Sequence, residues 1–434
     1  MLFDEALAYL LSLGHETVAI KLGLSNTERL LAALGDPQTS FPAVQIAGTN
    51  GKGSTASMLA AVCRAAGIRA GLYTSPHLVS ITERVRVGGA EISREQFAAA
   101  ATAVRAASEE VARATGALPT FFEQVTAIAL FAFRAARVEL AILETGLGGR
   151  LDATTAARAS LVAVTPVALD HQEYLGHTLA EIAAEKAAII RPGVKAVVAP
   201  QSPEAEEVIL ARCRECGVEA RRPTSDIEVV ETCGEGRLRA HFRTARDFYE
   251  GVCVSLRGRH QLTNAAVAAA LAEALADEGF TISRAHIVEG LEQAEHAGRL
   301  EWDARRTPPL LFDGAHNPAG ARALRDYLDE FVGAPVTLVF GAMRDKELAE
   351  LGAILFPAAE HLVLTQADNP RSATVEELIR AVPVPASSST ITFAPSAADA
   401  LRLARAQTRS GGIICVTGSL YLVGEVKSIL KSSL

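Results

Sequence analysis

The chain has 434 residues, 49% hydrophobic and only 5% aromatic, with 42 basic and 50 acidic side chains and a net charge of −8. That length exceeds one typical domain and suggests about three as a soft prior. The acidic balance argues against a nucleic-acid partner or a membrane surface, while leaving room for a local basic site that takes an anion.

The opening stretch MLFDEALAYLLSLG carries acids where a signal peptide has basic residues, so it reads as an amphipathic helix. The longest apolar run, Ala265 to Ala276, contains Glu273 and is too short to span a membrane. Of the cysteines, only Cys213 and Cys216 form a CxxC, and no second pair completes a zinc site. The expectation is a cytoplasmic protein with aliphatic cores.

Helices are predicted at 2–13 and 25–34, with a loop at Lys21-Leu22-Gly23-Leu24 between them. Val44, Ile46 and Ala47 then form a short strand that ends in Gly48-Thr49-Asn50-Gly51-Lys52-Gly53-Ser54-Thr55, and a helix runs from Ala56 to Ala66. Strand, glycine-rich turn and helix together make a phosphate cradle. Glycines let backbone N–H groups crowd an anion, and the helix N-terminus adds positive charge. Lys52 can reach terminal phosphates, and Ser54 or Thr55 can hold magnesium. The spacing departs from the usual P-loop: only Thr49 and Asn50 separate Gly48 from Gly51, and Gly53 intervenes before Ser54.

A second strand, Ile68 to Tyr73, ends at Ser75-Pro76-His77, where Pro76 stops pairing. Helices follow at 94–115, capped by Ser93, and at 120–136. Strand Val138 to Leu143 runs into Glu144-Thr145-Gly146-Leu147-Gly148-Gly149-Arg150. A strand-end carboxylate downstream of a phosphate turn is where NTPases keep a magnesium-linked acid. Arg150 reads either as an anion contact or as a solvated loop charge.

Strand Leu161 to Thr165 leads to Asp170-His171, and helix 178–190 carries Glu181, Glu185 and Lys186. His171 reads equally as a structural imidazole or a ligand. The default for the two glutamates and for Lys186 is a solvated face. Strand 195–199 and helix 203–216 continue the alternation, residues 225–257 read as a small antiparallel excursion, and long helices reach Ala276 and 283–293.

The boundary is placed at His296-Ala297-Gly298-Arg299, giving domains 1–296 and 297–434. Strand Leu310 to Phe312 ends in Asp313-Gly314-Ala315-His316-Asn317-Pro318, with Asn317 a helix cap and Pro318 the first helical residue. Helix 319–331 and strands 335–340, 361–365, 391–393 and 413–417 complete a second sheet. The fold class is therefore α/β: an N-terminal P-loop mononucleotide-binding domain with a small antiparallel excursion, then a smaller C-terminal Rossmann-like domain. Two ligand-facing sheets suggest closure on a nucleotide and a second substrate.

As a set, GTNGKGS at 48–54, SPHL at 75–78, ETGLGGRLDAT at 144–154 and DHQEYLGHTLAEIAAEKAAII at 170–190 resemble the folylpolyglutamate synthase/dihydrofolate synthase family of Mur ligases. GRHQLTNAAVA at 258–268, FDGAHNP at 312–318, FGAMRDK at 340–346 and TGSLYLVGEV at 417–426 extend the resemblance.

The resemblance implies an ATP-dependent amide ligase. ATP activates a carboxylate of dihydropteroate or folate as an acyl phosphate, and L-glutamate attacks it. Gly48, Thr49, Asn50, Gly51, Lys52, Gly53 and Ser54 are implied as the ATP phosphate site. Ser75 and Glu144 are implied as ligands of one magnesium; Glu144, His171 and Lys186 as the shell of a second. Potassium is implied as an activator. In this family the lysine at the position of Lys186 is often carbamylated, which replaces the surface default. The family's Glu-Lys-Ala-Gly-Ile has Ala188 in place of glycine here, which is expected to crowd the turn. Asn264 is implied as an adenine contact, Arg299 as a phosphate contact, and Asp313 and His316 as the second domain's grip on the nucleotide. Phe122, Glu123 and Arg84 are implied near the pterin substrate. The resemblance also favours a monomer. Two rivals remain at this point: a muramyl-peptide ligase, which needs a UDP-sugar domain before the first strand, and a nucleotide-dependent switch that does not ligate.

Overall fold

A computed structural model describes residues 1–14, 23–223, 226–381 and 390–432; Lys21 and Leu22 of the expected loop lie outside them. Strand β1 (Ala43–Ala47) is buried along its whole length, as a strand covered on both faces must be, and its one polar side chain, Gln45, donates to the Thr154 and Thr155 hydroxyls. β2 (Ala70–Tyr73), β3 (Val85–Val87), β4 (Ala90–Glu91), β5 (Leu140–Glu144), β6 (Leu161–Val164), β7 (Lys195–Val198) and β8 (Ala220–Arg221) join it. Among the described residues their order is β4-β3-β2-β5-β1-β6-β7-β8.

From β2 to β8 the pairs are parallel, as expected. The antiparallel β3–β4 ribbon at the edge was not expected. Strands so short show no alternation to read.

Helices cover both faces. One layer packs Phe97, Val104, Val125, Phe133, Ile182 and Ile209 against the sheet. The other packs Met58, Val62 and Leu291 with helix His260–Ala276. That helix is buried nearly all round, because it also carries a second sheet on its back. This sheet is the expected excursion: β9 (Glu228–Thr232), β10 (Leu238–Arg243) and β11 (Phe248–Val254), antiparallel in the order β11-β10-β9. Alanine at eight of the 17 positions of the helix lets both sheets approach closely. Cys233 and Cys253 are joined within the excursion, a pairing the scattered cysteines did not suggest.

The remaining strands are β12 (Glu301–Asp303), β13 (Leu310–Phe312), β14 (Val336–Phe340), β15 (His361–Leu364), β16 (Thr390–Phe393) and β17 (Ile413–Thr417). They form a third sheet in the order β12-β13-β17-β14-β15-β16, parallel except for the edge strand β12. Helices Pro318–Phe331 and Leu348–Leu355 cover one face; Ala397–Gln407 and Leu420–Ser432 cover the other. Among the described residues no helix is long and apolar enough to cross a membrane.

The turns after β1, β5 and β6 and the turn after β13 line one cavity. Parallel sheets place ligands at the carboxyl ends of their strands, where the chain leaves one side for the other.

Candidate active site

The turn after β1 depends on glycine for two separate reasons. Gly48 (φ 149°) and Gly51 (φ 87°) take conformations that L side chains avoid. There is also no room: a Cβ at Gly48 would lie 1.9 Å from Thr165 Oγ1, and one at Gly51 2.2 Å from Asn264 Oδ1. The N–H groups of Thr49 and Asn50 both donate to the Pro166 carbonyl, at 3.0 and 3.1 Å. Those two residues therefore fasten the turn to the chain after β6. The first turn of helix Lys52–Ala65 is left to face an anion.

Two ammonium groups meet on this turn. Lys52 Nζ donates to the carbonyls of Gly48 (3.1 Å) and Thr49 (3.0 Å), and Lys186 Nζ donates to Gly48 O at 2.9 Å. Lys186 is buried, 5% exposed, so the solvated-face default from spacing fails. Burial, reinforced by the charge of Lys52, lowers its pKa to about 7. Burial also lowers the pKa of Lys52, against the pull of Glu144. Ala188 takes φ −62°, a helical conformation that does not call for glycine.

Glu144 closes β5, buried, with Oε2 accepting the Ser75 backbone N–H at 3.1 Å. Burial raises its pKa, opposed by Lys52. His171 holds φ 50° at the start of the short helix Gln172–Leu175, seven residues beyond the end of β6. Burial lowers its pKa to about 3, so at neutral pH the imidazole is uncharged and keeps a lone pair.

The glycine-rich turn after β5 is shaped by Asp152, which spacing did not single out. Its Oδ2 accepts the N–H groups of Gly146 and Leu147, both at 2.9 Å. The Phe122 ring lies against Gly146, where a Cβ would come within 2.3 Å of it. The Arg150 guanidinium pairs with Glu185 at 2.9 Å, on the helix that carries Lys186, and the residue borders the more apolar cavity. Glu181, the other supposed face residue, is exposed but accepts the N–H groups of His177 and Thr178 and so caps that helix.

From the second sheet, Asp313 is buried, its oxygens accepting N–H groups of Leu300 (3.0 Å) and Ala315 (2.9 Å). Burial raises its pKa. His316 holds the Gly314 carbonyl at 2.7 Å and reaches Asp170 at 3.5 Å. Asn264 binds Gln261 at 2.9 Å and, with Arg299, lines the same cavity as the phosphate turn. His296, also missed, is half-buried with Nδ1 3.0 Å from Ser57 Oγ; a Cβ on Gly53 would strike its ring at 2.8 Å.

Two expected substrate contacts have structural work. Glu123 is buried, accepting the Thr120 N–H at 2.7 Å and the Thr27 hydroxyl at 3.2 Å, although it also borders the cavity. Arg84 is buried, donates from Nε to His77 Nδ1 at 2.8 Å and lies over Phe121; it lines none of the cavity.

Two adjoining cavities result. One, of about 350 Å³, holds the phosphate turn, Glu144, His171, Lys186, Asn264, Arg299, Asp313 and His316. The other, of about 220 Å³, is more apolar, with Phe122, Leu147, Tyr174, Leu175, Met343 and Tyr421. Ser75, His171 and His316 border both.

The donor set fits a hard divalent cation: a carboxylate, a neutral imidazole and hydroxyls beside a phosphate cradle. The Thr55 hydroxyl is buried without a hydrogen-bond partner among the described residues. Among those residues no three His, Cys, Asp or Glu side chains converge as a ready-made site. A metal here would therefore lean on Ser75, on phosphate oxygens and on Lys186.

The chain resembles known proteins along most of its length. The Mur ligase middle domain matches residues 46–272, and the Mur ligase, glutamate ligase domain matches 298–420. The chain is 33% identical to a dihydrofolate synthase/folylpolyglutamate synthase of Bacillus subtilis, over 96% of this chain and 97% of that protein. It is 37% identical to a bifunctional folylpolyglutamate synthase/dihydropteroate synthase of Halobacterium salinarum over 99% of this chain, but spans only 52% of that relative's length. Among solved structures, Mycobacterium tuberculosis folylpolyglutamate synthase complexed with ADP superposes with TM-score 0.89 at 31% identity, covering 98% of each chain. E. coli FolC in complex with DHPP and ADP gives 0.87 at 31% identity, covering 100% of this chain and 98% of that one. A Yersinia pestis bifunctional folylpolyglutamate synthase/dihydrofolate synthase with AMPPNP and a Mn ion gives 0.85 at 31%, covering 99% and 98%.

Proposed function

Because the chain belongs to the folylpolyglutamate synthase/dihydrofolate synthase family of Mur ligases, we propose that it is bifunctional, adding L-glutamate both to dihydropteroate and to folates. It is an ATP-dependent ligase of folate metabolism that uses a divalent metal. The observation that carries the reading is the pair of adjoining cavities. The polar one suits a nucleotide triphosphate, the apolar one a flat pterin, and His171, Ser75 and His316 stand where the two meet.

In this reading residues 1–296 form the ATP-binding ligase domain and 297–434 the glutamate ligase domain. The first turn of helix Lys52–Ala65 and Lys52 hold the β- and γ-phosphates. Arg299 meets the phosphates from the hinge, Asn264 the adenine, and Asp313 shapes the turn that presents His316. Phe122 offers a face for the pterin. Ser75, Glu144, His171 and carbamylated Lys186 would hold two magnesium ions, which offset the charge of the transferring phosphoryl group. Potassium would act as an activator. The protein works as a cytoplasmic monomer on small molecules, with no nucleic-acid or membrane partner.

A carboxylate oxygen of the acceptor attacks the γ-phosphorus, and ADP leaves with the bridging oxygen. The glutamate amine then attacks the acyl carbon, loses a proton, and phosphate departs carrying the former carboxylate oxygen. These side chains act by positioning and by opposing negative charge, which is where most of the rate in such transfers arises. An acceptor labelled with ¹⁸O in its carboxylate tests this: the label is expected in released phosphate. Unlabelled phosphate would refute the acyl-phosphate route.

A further inference from the structure

Asp170 belongs to the first unit, yet the side chains that grip its carboxylate come from the second. Oδ1 lies 2.5 Å from Lys346 Nζ. Oδ2 accepts from Asn317 Nδ2 at 3.1 Å and lies 3.5 Å from His316 Nε2. From its own unit, Oδ1 accepts the His171 N–H at 2.9 Å, and the His171 ring stands 4.0 Å away. Side chains of Asp170 and Lys346 are each only 7% exposed. Asn317 also exchanges amide hydrogen bonds with Asn50 of the phosphate turn, at 3.1 and 3.4 Å. Thus the turns after β13 and β14 close on one carboxylate, directly beside His171.

We propose that the Asp170–Lys346 pair is the latch that sets the register of the two units for ligation, with both residues acting as positioning residues through His171 and His316. The inference rests on the ligase reading above for its catalytic consequence, though not for the latch itself. Burial opposes ionisation of Asp170, but His316, His171 and Lys346 together hold its carboxyl well below the usual carboxylate range.

A buried pair suits this task. Its attraction roughly offsets the lost hydration, so it adds little net stability to the joined state. Either charge without the other is costly inside the joint and cheap in water. The joint therefore tolerates one register and still opens for substrate entry and product release. Two other contacts between the units, among the described residues, lack this property. Arg259 and Glu330 pair on the exposed surface, and the Tyr327 hydroxyl donates to the Glu235 carbonyl at 2.8 Å without any charge.

The test uses the full chain with Asp170→Asn, Lys346→Met, both together, and Arg259→Ala as a control. Small-angle X-ray scattering with AMPPNP and manganese reads closure, and steady-state ligation reads its consequence. Wild type and the control are expected to contract on adding nucleotide. Each single variant is expected to stay extended and to lose about 30-fold in kcat, the order of loss for breaking a buried charge pair. Its ADP Kd should weaken far less than its kcat falls, since the phosphate turn is untouched and only the second unit's share of the grip is lost. The double variant should lose much less than the product of the singles. Singles that contract and turn over like wild type, or losses that simply multiply, would overturn the latch. Should Asp170→Asn misfold, Lys346→Met carries the test alone, judged by contraction and the kcat-to-Kd split. A wild type that contracts but never ligates would refute the ligase reading while leaving the latch standing.

Discussion

Lys186 donates to the Gly48 carbonyl at 2.9 Å, so the helix Leu179–Ala187 is tied to the phosphate turn through one ammonium. Lys52 shares the same carbonyl. Burial is the larger cause of the Lys186 pKa of about 7, and the Lys52 ammonium on the same acceptor adds repulsion.

A lysine with that pKa is partly a free amine at neutral pH, and only the free amine adds carbon dioxide. Carbamate formation at Lys186 is expected to rise as pH climbs through about 7. With ¹³C-bicarbonate, a carbamate signal should be strong at pH 8, weak at pH 6, and missing in Lys186→Ala. The uncarbamylated chain should also gain stability from about pH 7 toward 10.5, because the unfolded lysine binds a proton that the folded one has released. Short carboxylic acids should partly restore turnover to Lys186→Ala.

Lys52→Ala and His171→Ala are expected to lower ligation by about 10²- to 10³-fold or more, the scale for removing one group that stabilises transferring charge. Both should keep native circular dichroism, since neither side chain fills a hydrophobic core. Near-normal turnover in either would remove it from the phosphate or metal site.

Gly51→Ala meets two obstacles, the positive φ and Asn264 Oδ1 at 2.2 Å from the new Cβ. Left-handed backbone alone costs about 1–2 kcal/mol for a residue with a Cβ. The expected result is a raised KM for ATP with a lowered Tm. Adding Asn264→Ala should relieve the clash but not the backbone strain, so only part of the Tm returns.

Arg84→Ala separates substrate contact from scaffolding. Arg84 is buried under the loop after β2, on His77 and over Phe121. Its loss should destabilise the fold by roughly 2–4 kcal/mol, the range for breaking a buried hydrogen-bonded group. The same substitution should leave the KM for the acceptor near wild type, measured by thermal denaturation and acceptor titration. Phe122→Ala should do the reverse, because its ring faces the apolar cavity.

Much of this was legible because the informative residues sit in turns at strand ends. Strand β1 with its glycines, the Glu144 turn and the Asp313 turn are local patterns, and the structure places them along one cavity. What escaped was long-range. Asp170 precedes His171 and Asn317 follows His316, so both were in view, but their contact spans 147 positions and no spacing encodes it. Lys186 misled for a related reason. A lysine on a helix that also carries two glutamates looks solvated until the tertiary fold lays that helix on the turn after β5, where a Cβ at Gly149 would lie 3.0 Å from the Lys186 carbonyl. The β3–β4 ribbon was too short to carry a period.

The most direct measurement is phosphate release with ATP, magnesium and L-glutamate, using 7,8-dihydropteroate and a reduced folate monoglutamate as alternative acceptors. Release with each acceptor, requiring glutamate both times, is the predicted result. Release with only one would contradict bifunctionality. Slow hydrolysis indifferent to glutamate and to both acceptors would contradict the ligase itself and leave a nucleotide switch.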